Sequence, residues 1–478
     1  MIPIIPLEKM SSGLDYCEII GLSFLSNKTK GEYSRMHIQL SDHFTFSKLL
    51  RFALPSICMM IVTSIYGVVD GLFVSNLVGS TAFAALNLIY PVLMIFGSLG
   101  FMIGTGGSAL VSKTLGQGKP DRANSYFSML IFFTIGMGIA IAVLGFIFIR
   151  PIARLLGAEG EILEGCVLYG RVLLVSLTAF MLQNAFQSFM VVEGKPKMGL
   201  AVSLSAGVCN MVGDFVLIYV CKLGLFGAAA ATALSEFAGG LIPLLYFAFS
   251  KRSNLKLRRT KLQFQPILKA CTNGSSEMLS SISMSLVNIL YNFQLMRMIG
   301  ADGVIAYGII MYLSFVFVSS FLGYSIGTAP IVGFHYGAMH PDELKNLLRK
   351  SVLIISVAGI SMAVLAHVLS GVLAGIFVSY DANLMALTEH AIQIYSLSYL
   401  FVGFAIYASN FFTALNNGLL SAVISFLRTL VFEVIMVMLL PLLFGINGIW
   451  GAVVVADIFA VIVAAALLWA KRKKYGYL

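Results

Sequence analysis

Residues 64–91 read SIYGVVDGLFVSNLVGSTAFAALNLIYP, an almost wholly apolar run that carries one carboxylate, Asp70. A charged side chain within a hydrocarbon layer is costly, and it is retained mainly where it faces a cavity or a partner. A degraded copy of the same run follows in the second half of the chain. The chain therefore has two distinctive features: an acid inside an apolar helix and an internal duplication.

The chain is too apolar to be a soluble domain. Of its 478 residues, 59% are hydrophobic and 11% are charged, and the mean hydropathy is +0.93. Soluble domains are about half apolar and about a quarter charged. A membrane span needs about 20 apolar residues, and the alternation typical of a transmembrane β-barrel is absent. We therefore predict an all-α integral membrane protein with twelve transmembrane helices, at residues 52–76, 83–111, 124–149, 164–192, 198–220, 225–249, 267–298, 304–334, 351–378, 387–415, 419–443 and 448–470.

The basic residues indicate the orientation of the chain in the membrane. If the amino terminus lies inside, 25 of the 31 Lys and Arg residues fall before the first span, in the even-numbered connections or in the tail. Only 4 fall on the opposite side. Because cytoplasmic loops are enriched in Lys and Arg, both termini are predicted to be cytoplasmic. The net charge of +10 then reflects a partnership with the lipid bilayer rather than with nucleic acid.

The two halves of the chain are related in sequence. Gly116-Gln-Gly-Lys-Pro-Asp121 recurs as Gly337-Ala-Met-His-Pro-Asp342, and Leu225-Phe-Gly-Ala recurs as Ile449-Trp-Gly-Ala. Six spans per half make the repeat parallel, an architecture found among transporters. We predict an N-lobe at residues 41–250, a basic cytoplasmic linker at 251–266 and a C-lobe at 267–478. Residues 1–40 are expected to form a disordered N-terminal extension.

A polar cluster is predicted within the hairpin formed by spans five and six. Asn210 and Asp214 are four residues apart and share one helix face. With the turn centred near Leu223, Thr232 lies level with Asp214, and Glu236 lies level with Asn210. Such a cluster can bind a proton or a small hard cation, or it can serve only as hydrogen bonding between helices. Further acids lie within or at the ends of spans at Asp70, Glu277, Glu433 and Asp457, and Arg428 can pair with Glu433.

Enzymatic chemistry is not indicated. No HExxH, GxSxG or P-loop pattern occurs. We therefore expect no catalytic residues and no cofactor, and any transport would be driven by an ion gradient or by a partner.

Several motifs resemble the multidrug and toxic compound extrusion (MATE) family, and most closely its MepA-like bacterial subgroup. They are Leu54-Pro-Ser56, Tyr66-Gly-Val-Val-Asp70-Gly-Leu-Phe-Val74, Gly194-Lys-Pro196, Asn210-x-x-x-Asp214, Gly274-Ser-Ser-Glu277 and Leu440-Pro-x-x-x-Gly-Ile-Asn-Gly-Ile-Trp450. The similarity covers the chain from about Leu40 to its end. It implies two six-helix lobes in a V around a central cavity. It also implies antiport of amphipathic, often cationic drug-like compounds out of the cell, against H⁺ or Na⁺.

The resemblance also implies site residues. An N-lobe cation site, for H⁺ or Na⁺, matches Asp70, Asn210, Asp214 and Thr232. Some family members use a coupling acid in span seven, where this chain has Glu277 near the start of the span. Further candidates for the cavity are Glu236, Gln183, Asn184 and Gln187.

Two other functions remain open from the sequence. One is a lipid-linked oligosaccharide flippase of the same superfamily, which only Arg171 and Arg428 within the spans would support. The other is an uncoupled channel or scaffold. In the second half, Tyr291 aligns with Asp70 and Met438 aligns with Asp214. The cation site is therefore predicted in the N-lobe alone, in a monomer of the bacterial cytoplasmic membrane.

Overall fold

The structure is a computed structural model that describes residues 38–477, apart from the side chains at positions 68, 71, 72, 75, 76 and 80. Every regular element in this described part is a helix. The α-helices are α1 (Phe46–Leu77), α2 (Ser80–Gly116), α3 (Pro120–Leu155), α4 (Gly160–Val192), α5 (Pro196–Asp214), α6 (Gly224–Phe249), α7 (Phe264–Met298), α8 (Ala301–Gly337), α9 (Pro341–Val368), α10 (Ser370–Val378), α11 (Ala382–Tyr395), α12 (Tyr399–Ala414), α13 (Gly418–Phe426), α14 (Glu433–Phe444) and α15 (Ile446–Tyr475). Two π-helical turns, Phe215–Val220 and Leu427–Phe432, follow α5 and α13. The predicted N-terminal extension lies outside the described residues except for its last three.

Eleven of the described helical segments are long and apolar enough to cross a membrane. The predicted span at 267–298 lies in α7, a helix of 35 residues that does not reach the same hydropathy. Its sequence explains the difference, because the segment from Asn273 to Ser285 contains six serines, an asparagine and a glutamate. Thus α7 has the length of a span but a polar composition, as expected for a helix that borders a polar interior.

The two sequence copies are visible in how helices begin. Pro120 starts α3 and Pro341 starts α9, each at the first helical position. Proline is favoured there because its missing N–H would have no helical partner and its φ angle suits a helix. The end of the bundle where α2 meets α3 and α8 meets α9 carries the predicted basic connections, and we refer to it as the basic end.

Helices from the two predicted lobes touch backbone to backbone near the basic end. A Cβ on Gly274 of α7 would lie 1.9 Å from Met102 O of α2. A Cβ on Gly116 of α2 would lie 2.0 Å from Phe334 O of α8, and one on Gly337 would lie 2.0 Å from Lys113 O. Only glycine permits such approaches. Gly116 and Gly337 are repeat-related, so the contact between α2 and α8 is reciprocal.

The segment ahead of α1, residues 42–45, is held by the start of α9; we name it the N-terminal strap. Phe44 is fully buried. Its N–H donates to Glu343 Oε1 over 2.9 Å, and its carbonyl accepts from Asn346 Nδ2 over 3.0 Å. His43 Nδ1 lies 2.6 Å from Glu343 Oε2. The strap therefore links the start of the predicted N-lobe to the predicted C-lobe at the basic end.

The linker between α6 and α7 is attached to α4 through one carboxylate. The Glu193 side chain is fully buried and lies 3.4 Å from Lys195 Nζ. Its oxygens accept from Asn254 N over 2.9 Å and from Leu255 N over 2.8 Å. Hydrogen bonds to a charged group contribute about 1.5–3 kcal/mol each. One side chain thus fixes the first part of the linker.

Replacing Glu193 by Ala is expected to release the linker, because two backbone N–H groups and Lys195 lose their acceptor. Trypsin should then cut between residues 251 and 262 at least about tenfold faster, as about 1.5–3 kcal/mol per lost bond implies. Limited proteolysis of the purified protein measures this rate. Glu161→Ala, at an exposed position in the first turn of α4, is the matched control. Equal cutting rates in Glu193→Ala and wild type would contradict the attachment.

Candidate functional site

The four residues predicted as a cation site lie together. The Asp70 carboxyl of α1 faces the side chains of Asp214, Asn210 and Thr232. Asn210 Nδ2 donates to Thr232 Oγ1 over 3.4 Å, which joins α5 to α6. Asp214 is fully buried and Asn210 is 1% exposed. The arrangement places two carboxyls, an amide and a hydroxyl in one buried cluster, which we name the N-lobe cluster.

The hairpin register differs slightly from the prediction. A Cβ on Gly213 would lie 2.9 Å from the Ala231 Cβ, so these two positions are level. Thr232 therefore lies between the heights of Asn210 and Asp214 rather than level with Asp214. The π-helical turn Phe215–Val220 begins directly after Asp214. A π-helical turn changes the rise per residue. Equal numbers of residues on the two sides of the loop between α5 and α6 therefore do not give equal heights.

Most oxygens of the N-lobe cluster have no protein partner. Both carboxylate oxygens of Asp214, Asp70 Oδ1 and Asn210 Oδ1 are buried without a hydrogen bond. Each buried polar group left without a partner costs about 1–3 kcal/mol. Two facing carboxyls also repel each other when both are ionised. A proton or a cation between them would relieve both penalties.

A ring of tyrosines around the N-lobe cluster was not predicted as part of the site. Tyr66 and Tyr90 are electrostatic neighbours of Asp70 and Glu236. Tyr169, fully buried in α4, is a neighbour of Asp70, and its side chain faces Thr232. Tyr66 precedes Asp70 by four residues, so the shared helix face could have identified it. Tyr90 and Tyr169 come from other helices, and no local spacing links them to Asp70.

Glu236 lies beside the N-lobe cluster rather than inside it. Ser176 Oγ of α4 donates to Glu236 Oε2 over 2.6 Å. Glu236 is also an electrostatic neighbour of Asp70. It therefore shares the polar interior with the N-lobe cluster and has a fixed hydrogen-bond partner of its own.

The three amide side chains predicted in α4 have different surroundings. Asn184 Nδ2 donates to Gly97 O over 3.2 Å, which serves packing between α2 and α4. Gln183 faces Tyr66. Both polar atoms of Gln187 are buried without a hydrogen-bond partner. Gln183 therefore lies nearest the N-lobe cluster, and Gln187 has unused hydrogen-bonding capacity.

Glu277 is not part of the N-lobe cluster. It is instead an electrostatic neighbour of Arg428 in the predicted C-lobe. Arg428 Nη1 lies 3.6 Å from Asp457 Oδ1 of α15. The ion-pair partner of Arg428 is therefore Asp457 and not Glu433, because the arginine side chain reaches across to the next helix instead of along its own.

The chemistry of the N-lobe cluster suits a proton or a small hard cation. The described residues contain no group of three or more His, Cys, Asp or Glu side chains suited to a metal ion. The N-lobe cluster offers carboxylate, amide and hydroxyl oxygens, the donors that hard cations prefer. Acids that can exchange charge within a membrane interior are typical of ion-coupled transport.

The family model MatE matches the chain twice, at residues 55–216 and 278–439. The two matches fall in the two predicted halves, in keeping with the parallel duplication. The chain is also similar to "Multidrug export protein MepA" of Staphylococcus haemolyticus (strain JCSC1435), with 25% identity over 435 residues, 90% of this chain and 94% of that protein. The protein of the same name from Staphylococcus aureus (strain MSSA476) is 23% identical over 434 residues, 90% of this chain and 94% of that protein.

Solved structures share the fold. The crystal structure of MATE in complex with MaL6 has a TM-score of 0.86 and 22% identity, covering 92% of this chain and 99% of that chain. An outward-facing conformation of a multidrug resistance MATE family transporter of the MOP superfamily has a TM-score of 0.85 and 24% identity, covering 92% and 99%. The architecture is therefore the V-shaped one of these proteins.

Proposed function

Because this chain belongs to the MatE family and is a MepA-like MATE transporter, we propose that it exports amphipathic, often cationic compounds by antiport against H⁺ or Na⁺. It is a multi-pass protein of the cytoplasmic membrane that serves multidrug efflux, and it is not an enzyme. The observation that carries the proposed coupling is the set of unpartnered, buried oxygens on Asp70, Asn210 and Asp214. They supply a place where an entering cation is stabilised.

The proposed cycle is alternating access. The glycine contacts between α2 and both α7 and α8 close the basic end, which we assign to the cytoplasmic side. A cation that binds between Asp70 and Asp214 neutralises their repulsion and lets α1, α5 and α6 approach one another. If that state has lower affinity for the drug, the bound cation promotes drug release, and the linkage is reciprocal.

The flippase alternative has less support. Of the two arginines within the predicted spans, Arg428 is paired with Asp457. Arg171 is exposed on α4, where its guanidinium lies 4.9 Å from the Phe146 ring centroid. Neither contributes to a cationic central surface for a pyrophosphate.

Purified protein in liposomes tests the coupling. Ethidium should move against its own gradient when an inward-directed pH or Na⁺ gradient is imposed, and it should stop moving uphill when that gradient is collapsed with an ionophore. The cation whose gradient alone sustains uphill movement is the coupling ion. Downhill ethidium flux that is independent of both the pH gradient and the Na⁺ gradient would support an uncoupled channel and overturn the antiport proposal.

A further inference from the structure

The linker between α6 and α7 is held against α3 along its middle. Asn124 Oδ1 of α3 accepts from Lys256 N over 2.8 Å, and Ser128 Oγ accepts from Arg258 N over 2.8 Å. The first part of the linker is attached to Glu193, as described above. These bonds to two helices give the linker a fixed course along the bundle.

The linker turns its apolar side chains inward and its basic side chains outward. Leu255 is fully buried, and Leu257 is partly buried against the core that α3 and α4 share. Lys256 and Arg258, which alternate with them, are exposed. The backbone bonds to α3 therefore hold cationic groups at fixed places on the outside of the protein.

The basic side chains of the linker have little negative charge to balance them. Residues 237–276 contain seven Lys or Arg and no Asp or Glu. Arg258 Nη1 lies 2.8 Å from Asp121 Oδ1. In the described part of the chain, no ion pair within 4.0 Å includes the other exposed basic residues of the linker, which are Lys251, Arg252, Lys256, Arg259 and Lys261. Their counter-charge must come from outside the described chain.

Large apolar side chains lie beside this charge. Leu262 is 71% exposed, and Phe264, in the first turn of α7, is 77% exposed. Gln263 N lies 3.3 Å from Met129 Sδ, which places this part of the linker beside α3. The linker starts where α6, a helix able to cross a membrane, ends at Phe249, itself 79% exposed. The charged and the apolar side chains therefore meet at the border of the membrane.

A phospholipid with an anionic headgroup satisfies both kinds of side chain. Anionic lipids attract Lys and Arg residues near the membrane surface. Exposed Phe and Leu side chains lie favourably at the boundary between headgroups and acyl chains. A nucleic acid or an acidic soluble protein would use the charges but would leave Leu262 and Phe264 in water. A neutral lipid would cover the apolar side chains but leave the charges unbalanced.

We propose that the linker is a binding site for anionic phospholipid in the leaflet at the basic end. Lys256, Arg259 and Lys261 supply positive charge to the lipid phosphates, and Leu262 and Phe264 lie against the acyl chains. This inference goes beyond drug export, and it holds whichever cation drives that export.

Lipid quenching in liposomes tests the site. A fluorophore is attached to Gln265→Cys, at an exposed position next to Phe264, in full-length protein whose own cysteines are replaced. All liposomes have the same mixture of phosphatidylglycerol and phosphatidylcholine, and a small, equal fraction of one or the other is brominated. The ratio of the two quenching efficiencies measures enrichment of phosphatidylglycerol at the linker. We expect at least about fivefold enrichment, the effect of one basic residue near an anionic surface.

Two triple variants separate a site on the linker from the net charge of the protein. Enrichment should fall to near one in Lys256→Gln/Arg259→Gln/Lys261→Gln, whose exposed positions allow the exchange without repacking. The matched control is a variant that loses the same charge from exposed positions at the same end, namely Lys345→Gln/Lys473→Gln/Lys474→Gln. This control should keep the enrichment of the parent protein.

Three results would overturn the proposal. One is equal quenching by the two brominated lipids in the parent protein, and another is unchanged enrichment in the linker variant. The third is an equal loss in both triple variants, which would assign the effect to net charge alone. Loss of ethidium antiport is a separate result, because the quenching measurement needs neither a drug nor an ion gradient.

Discussion

Replacing Asp214 by Asn is expected to reduce ion-driven efflux by about 5- to 150-fold, the range of typical coupling energies between two sites. Asn has nearly the same size and keeps an oxygen acceptor, so packing in α5 is preserved. It cannot take up a proton or balance a cation. Because Asp214 is fully buried with both oxygens unpartnered, water cannot replace the lost charge. Ethidium efflux from energised cells, normalised to the amount of protein in the membrane, measures the effect.

The matched control is Asp302→Asn, an exposed acid in the first turn of α8. It removes the same charge without touching the N-lobe cluster and should leave efflux unchanged. Asp70→Asn should behave like Asp214→Asn, because the two carboxyls face each other. Undiminished efflux in both cluster variants at normal expression would remove the N-lobe cluster from coupling.

A methyl group at Gly274 should have the second largest effect. Its Cβ would lie 1.9 Å from Met102 O, a backbone atom that cannot turn aside. Overpacking of this kind costs about 1–3 kcal/mol, which would disfavour the closed basic end by about 5- to 150-fold. We expect Gly274→Ala to lower efflux and to leave the basic end open for longer.

Labelling of Cys271 measures that opening directly. This cysteine lies one turn before Gly274 and is partly buried. With the other cysteines replaced, a thiol reagent should label Cys271 several-fold faster in Gly274→Ala than in the parent protein. Gly308→Ala is the matched control, because nothing lies within 4 Å of its added Cβ. Equal labelling in Gly274→Ala and its parent would mean that the glycine contact does not hold the basic end closed.

Much of the fold follows from hydropathy and repetition. Long apolar runs separated by basic connections predict helices, and the confirmed architecture has them in the expected order. The segment at 267–298 shows the limit of this reasoning. It was predicted from length and mean apolarity, but its serines give α7 a composition suited to a polar interior.

The N-lobe cluster could be predicted in part because two of its members are four residues apart and a third lies across a short turn. The number of residues on each side of that turn is enough to predict that Asn210, Asp214 and Thr232 lie close together. Tyr169 could not be found in this way, since it belongs to a different helix and no local spacing along the chain relates α4 to Asp70. The partner of Arg428 was predicted incorrectly for a related reason. A flexible side chain reaches a neighbouring helix as easily as its own.

The N-terminal strap has a consequence for the timing of the cycle. Parting the lobes at the basic end requires Phe44 to leave its buried position and Glu343 to lose its bonds to the strap. These contacts share one short segment, so they are lost together. A partly detached strap would lose hydrogen bonds to Glu343 while the Phe44 backbone groups were still shielded from water. We therefore expect opening to be abrupt, with long dwell times in the closed state and brief visits to the open one.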